Sequence, residues 1–172
     1  GTSLESIDIP TSVTSIGDGA FLLCGKLNNV VIPEGITSIG RDTFEFCESL
    51  DTITIPNTVT SIGDMAFYSC SKLNNITIPD SITSIGQQAF DRCVGLTTID
   101  IPSGLTDIDW SVFAGSTSLN SINVAADNPS YCSVDGVLFS KDKTTLVQYP
   151  AGKEDENYQI PSSVTRAGHD AF

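Results

Sequence analysis

Positive charge is scarce in this sequence: 8 Lys and Arg stand against 21 Asp and Glu, a formal net charge of −13. Phosphate binding rests on clustered cations, and here Lys26, Lys72 and Arg92 are scattered, so nucleic acid and anionic membrane surfaces are excluded as main partners. There is one histidine, His169, and no Ser, His and acid constellation assembles around it, which leaves no basis for nucleophilic catalysis. No apolar run approaches the roughly 20 residues that cross a bilayer as a helix, and the N-terminus lacks the charged-then-apolar pattern of a leader. Gly1 reads as a remnant of tag removal, and the chain opens and closes within a repeat, as an excised fragment does. Only 17% of residues are charged while 40% are hydrophobic, with Val, Ile, Thr and Ser in short runs; that balance fits a folded β-rich chain.

What the sequence has in abundance is periodicity. Pro10, Pro33, Pro56, Pro79 and Pro102 recur at an interval of 23, as do Phe21, Phe44, Phe67, Phe90 and Phe113, and also Leu4, Leu27, Leu50, Leu73, Leu96 and Leu119. A period between 20 and 29 with leucine-like residues at fixed offsets is the mark of a leucine-rich repeat.

Each unit reads as one coil. In Leu27-Asn28-Asn29-Val30-Val31-Ile32-Pro33, Leu27, Val30 and Ile32 point to one side while Asn29 and Val31 point away, the alternation of a short strand. Pro33 stops it, having no N–H for the ladder. Ile36 and Ile39 supply a second inward pair, and Gly40 is expected to permit a corner conformation closed to other residues. Phe44 and Cys47, three apart, suit one helical turn facing the interior. No coil can bury its apolar edge alone, so the inward residues must stack in columns on their counterparts above and below.

Stacking the strands produces a parallel sheet with two outward columns: Ser6, Asn29, Thr52, Asn75, Thr98 and Ser121 in one, Asp8, Val31, Thr54, Thr77, Asp100 and Asn123 in the other. This is the surface most available to a partner. The candidate binding residues on it are Asn29, Thr52, Thr54, Asn75, Thr77, Thr98, Asp100 and Asn123.

In Ile53-Thr54-Ile55-Pro56, Val59-Thr60-Ser61-Ile62-Gly63 and Ala66-Phe67-Tyr68-Ser69-Cys70 the chain resembles the BspA-like leucine-rich repeats, found mainly in bacterial surface and secreted proteins. The likeness covers nearly the whole chain and includes an insertion running from Asn128 through Asp135-Gly136 to Phe139. The resemblance implies a place on the cell surface or in the secreted fraction and adhesion to host or neighbouring-cell proteins. It carries no catalytic residues over, because the shared motif is a packing motif.

The rhythm fails after Val124: from Pro102 to Pro161 the interval is 59. Val137–Ser140 and Thr144–Tyr149 flank the polar Lys141-Asp142-Lys143, which reads as a hairpin. Tyr158-Gln159-Ile160-Pro161 and Val164-Thr165-Arg166-Ala167-Gly168 restore the repeat, with Ala167 in place of isoleucine and Asp155 at the leading leucine position, so this coil is expected to be looser. In the fifth repeat Asp109 stands in the glycine column and Ser116 in the cysteine column. Trp110 follows at a position otherwise polar. It is either a binding hot spot or packed beneath the hairpin, and the large area a tryptophan buries favours the second.

Several residues look like chemistry. Cys24, Cys47, Cys70 and Cys93 sit one per coil instead of in paired Cys-x-x-Cys hooks, wrong for zinc, and side chains in parallel register do not readily form disulfides, so they are expected to be buried free thiols. Cys132 lies outside the column. Asp100, Asp107 and Asp109 lack the tight ligand loop of calcium motifs. Asn75-Ile76-Thr77 matches the glycosylation pattern by chance composition.

The expected architecture is an α/β repeat solenoid: a right-handed leucine-rich-repeat coil of 23-residue repeats with a parallel concave sheet, short helical or 3-10 turns and one inserted β-hairpin. Residues 1–172 form one unit, with 4–124 holding five regular repeats plus the strand of a sixth, 125–153 the insertion, and 154–172 a partial final repeat. Strands are expected to start at the six leucines, with a seventh near Tyr158. The function expected is a non-catalytic module, without cofactor or metal, that binds an extracellular protein. The alternatives are a structural spacer or an accessory domain of an enzyme.

Overall fold

The computed structural model describes residues 3–172. It is a parallel β-solenoid of about six turns. One side is a file of short strands, β1 (Asn29–Val31), β3 (Thr52–Thr54), β5 (Asn75–Ile76), β7 (Thr98–Ile101) and β9 (Ser121–Val124). β1 pairs with β3 and β3 with β5, in the register Asn29↔Thr52↔Asn75, while β7 pairs with β9 through Thr98↔Ser121. In this file of strands the first coil contributes an isolated bridge, Ser6 to Asn29, while on the turn side Gly19, Phe21 and Leu23 donate to Arg41 O, Thr43 O and Glu45 O. Strand pairing thus begins two residues after each leucine, and no strand forms near Tyr158.

A second parallel sheet, not anticipated from the sequence, follows each proline turn: β2 (Ser38–Ile39), β4 (Ser61–Ile62), β6 (Ser84–Ile85) and β8 (Asp107–Ile108). Two residues per coil are too few to show period-2 alternation, so the sequence pattern does not display this sheet.

The third side is not helical; no helix occurs among the described residues. Successive β-turns run through it, with Ala66 N–H donating to Gly63 O, Tyr68 to Met65 O and Cys70 to Phe67 O. The intervening amides point to the next coil: Met65 N–H to Gln87 O, Phe67 to Ala89 O and Ser69 to Asp91 O, each at 2.9 Å. Left-handed backbone at Met65 (φ 53°) and Ser69 (φ 57°) makes this alternation possible. A helical turn would direct those amides within the coil and leave the coils unjoined here.

The columns meet inside. Leu27, Leu50, Leu73, Leu96 and Leu119 are fully buried, and the phenylalanine rings stack at 5.2 to 5.9 Å from Phe21 to Phe113. The corner glycines have a different reason from the one their conformation suggested. Gly17, Gly40, Gly63 and Gly86 do not adopt positive φ. A Cβ on Gly63 would lie 2.8 Å from Arg41 N and 2.9 Å from Gly40 C, and one on Gly86 2.7 Å from Asp64 N, whereas Gly17, in the first coil, meets nothing within 4 Å. At Gly63 and Gly86 glycine is required because the corner lies against the backbone of the coil before it, while at Gly40 a Cβ would meet the Asp18 carboxylate. Asp109 breaks that column, and the next inter-coil bond, Gln88 N–H to Trp110 O, stretches to 3.4 Å.

The insertion holds two hairpins, not one. β10 (Tyr131–Val134) and β11 (Val137–Ser140) are joined by Asp135-Gly136, both with positive φ, and β11 pairs in turn with β12 (Thr145–Gln148). Asp-Gly between two apolar runs is a hairpin turn signal the sequence did carry. The anchor is Asn128, fully buried: its Nδ2 donates to Pro102 O (2.7 Å) and Leu105 O (2.8 Å), and its Oδ1 accepts from the Ser130 and Tyr131 amides (2.9 and 2.8 Å). β12 then serves as the second-sheet strand of a further coil. It pairs in parallel with β13 (Arg166–Ala167), and Gly168 N–H donates to Leu146 O at 2.8 Å, as Gly63 does to Ile39 O.

Candidate protein-binding face

Strand alternation places every second side chain of β1, β3, β5, β7 and β9 outside. All eight candidates, Asn29, Thr52, Thr54, Asn75, Thr77, Thr98, Asp100 and Asn123, are exposed, and seven of them stand in cross-strand register: Asn29, Thr52 and Asn75 along one line, Thr54 beside Val31, Thr98 beside Ser121, Asp100 beside Asn123. Neighbours along a column bond to each other. Thr52 Oγ1 donates to Asn29 Oδ1 (3.4 Å), Asn123 Nδ2 to Asp100 Oδ1 (2.8 Å) and Asn74 Nδ2 to Asp51 Oδ1. Val31, 57% exposed, adds an apolar contact to the same face. The surface offers small hydroxyl, amide and carboxylate groups, with one shallow depression of about 280 Å³ between Ile78, Asp100, Pro102 and Asn123.

Cys47, Cys70 and Cys93 are buried free thiols and Cys132 a partly buried one; Cys24 is buried in the same column. Burial pushes the Cys47 and Cys93 thiols up to about 12 and Cys70 well above its ordinary value. A thiol so far from ionising is neither a nucleophile nor a ready metal ligand at neutral pH. Asp100 lies in the first sheet, Asp107 in β8 and Asp109 at the corner after it, so the three do not share one loop. Asn75 of the glycosylation pattern is exposed in β5.

Trp110 is not beneath the insertion. It is 53% exposed and lies against His169 of the final coil, ring centroids 5.8 Å apart. Nearby, Ser111 Oγ donates to Asp170 Oδ2 at 2.7 Å, and His169 Nδ1 lies 3.0 Å from that same oxygen. The hydroxyl proton thus goes to a carboxylate whose pKa that bond lowers, not to an imidazole. A weak base in that place does not activate the serine.

The coil-by-coil packing has counterparts among known proteins. The BspA type leucine rich repeat region matches in six copies, over residues 1–120 and 37–149. The chain belongs to this family. The pneumococcal vaccine antigen PcpA is similar at 29% identity and a TM-score of 0.76, over 86% of this chain and 40% of that one. A leucine-rich repeat protein from Eubacterium ventriosum matches at 29% identity and a TM-score of 0.71 (86% and 45%), and one from Bacteroides ovatus at 26% and 0.64 (95% and 45%). No curated protein sequence matches the chain. The chain spans less than half the length of these structural relatives. As a BspA-type module it is a repeat unit of bacterial surface-type proteins. Among the described residues no helix is long and apolar enough to cross a membrane.

Proposed function

We propose that this BspA-type stretch is a protein-binding module of a bacterial surface or secreted protein, and that it holds an extracellular protein ligand across the outward columns of the first sheet. The observation that carries the reading is the pair of exposed, mostly polar columns repeated coil after coil, with Thr54, Thr77 and Asp100 at the centre of one of them. Small side chains give each repeat a weak contact, and affinity accumulates by repetition along the array. The description of one relative as a vaccine antigen supports an exposed, extracellular setting. The module is non-catalytic in this reading, and nucleic acid is not its partner, given the net charge of −13.

The test is surface capture of host matrix proteins and neighbouring-cell envelopes by the folded chain and by a Thr54→Arg, Thr77→Arg double variant. Capture by the wild type and loss in the variant supports the sheet face as the contact. Binding that survives the variant refutes it. A second reading, a rigid spacer, is favoured by the side-chain ladder that ties each coil to the next; it gains if only a longer native chain captures.

A further inference from the structure

The break between the fifth coil and the insertion leaves a cleft of about 160 Å³. In the regular coils the ladder on the turn side repeats: Asp42 and Phe44 donate to Asp64 O and Ala66 O, Met65 and Phe67 to Gln87 O and Ala89 O, and Gln88 and Phe90 to Trp110 O and Val112 O. The next members are the amides of Ser111 and Phe113. Among the described residues no acceptor meets either one, although both residues are buried and both line the cleft. The chain that would supply the acceptors has been displaced by the insertion, and the ladder resumes only beyond it, where Tyr149 N–H donates to Ala171 O.

Other groups around the cleft add to the excess of donors. Tyr131 Oη accepts the Ile108 amide at 3.0 Å, which leaves its own proton to give, and Arg166 stands at the wall. Of the nearby carboxylates, Asp109 in the wall takes the Trp110 amide on Oδ1, and Asp170 beside the cleft takes Ser111 Oγ on Oδ2, which also faces His169; neither accepts the Ser111 or Phe113 amide. What the cleft lacks is carbonyl oxygens two residues apart, the spacing along one edge of an extended chain. Its volume is close to the roughly 150 Å³ that holds one six-membered ring, and the half-exposed face of Trp110 forms its rim.

We propose that this cleft docks an extended peptide segment of a protein partner, whose carbonyl oxygens accept the Ser111 and Phe113 amides while one proline or aromatic ring lies against Trp110. The site is separate from the sheet face and does not depend on it.

Trp110 is the single tryptophan, so its fluorescence reports the site directly. A phage-displayed library of short linear peptides is selected on the 172-residue chain, and the selected peptides are synthesised and titrated by fluorescence and by calorimetry. The expected result is a saturable shift in Trp110 emission by peptides bearing proline or an aromatic residue, slowed exchange of the Ser111 and Phe113 amides, and at least about tenfold weaker calorimetric binding to Trp110→Ala. The Thr54→Arg, Thr77→Arg variant binds these peptides as the wild type does, which separates this site from the sheet-face proposal. The proposal is overturned if no peptide is selected, if selected peptides bind Trp110→Ala equally well, or if simple hexoses and their oligomers shift the emission while peptides do not.

Discussion

The Sγ of Cys70 donates a hydrogen bond of 3.2 Å to the carbonyl oxygen of Phe44, 26 residues earlier in the coil below. Cys47 does the same to Phe21 O and Cys93 to Phe67 O, and where the column changes residue, Ser116 Oγ donates to Phe90 O at 2.8 Å. The column therefore selects a small side chain with a donor, and cysteine combines that donor with the best apolar packing. Substituting Cys70→Ala is expected to cost about 1 to 2 kcal/mol through the lost contact and a small cavity, and Cys70→Ser to cost less because the donor remains. Urea midpoints of the two variants decide it; a serine variant no better than alanine shows that the bond contributes nothing.

Alkaline stability follows from the same thiols. In the unfolded chain a thiol ionises near 9.0, whereas burial holds Cys93 protonated up to about 12. Below the lower value both states carry the proton and its contribution to stability is whole. Above it the unfolded chain releases the proton and the folded chain does not, so stability falls as pH rises through about 12. Denaturation midpoints followed from neutral pH upward should decline more gently for Cys93→Ser than for wild type. Thiol reagents at neutral pH should modify Cys70 and Cys93 only as fast as the protein unfolds.

The corner glycines separate space from conformation. Gly63→Ala forces a Cβ into the backbone of Arg41 and Gly40 and is expected to cost about 1 to 3 kcal/mol. Gly17→Ala has open room and ordinary φ, and should be neutral or stabilising by up to about 1 kcal/mol. Equal melting shifts for the pair would mean the coils are spaced too widely for the Cβ to collide.

Phe67 stacks between Phe44 and Phe90 at 5.4 and 5.2 Å and is fully buried, while Thr54 faces outward. Phe67→Ala should cost about 3 to 5 kcal/mol and Thr54→Ala less than about 0.5. Because each coil rests on its neighbours, hydrogen exchange in Phe67→Ala should quicken in the coils on both sides.

Asn128 fills all four hydrogen bonds of a buried amide, at the point where the insertion leaves the repeat. Asn128→Ala leaves two carbonyls and two amides unmet and is expected to cost about 3 kcal/mol or more. Proteolysis of the variant should begin within residues 125–153. Cleavage elsewhere first would show that the insertion is held by its own hairpins.

The sequence by itself determined the period, the inward and outward columns and the single-file cysteines, because these depend on identity at fixed intervals and an interval is visible in one dimension. It likewise marked the break after Val124 and the β11–β12 hairpin. What only the tertiary structure decided concerns the gap between one coil and the next. Gly63 and Gly86 are required because the preceding coil's backbone lies where a Cβ would go, the turns replace a helix because their alternate amides must reach the next coil, and the cysteines act on a carbonyl 26 residues away. The unmet amides of Ser111 and Phe113 belong to the same class. Nothing in the sequence distinguishes these donors, and they lack acceptors because Asp109 and the Asn128-anchored insertion hold apart a pair of coils that would otherwise close on each other.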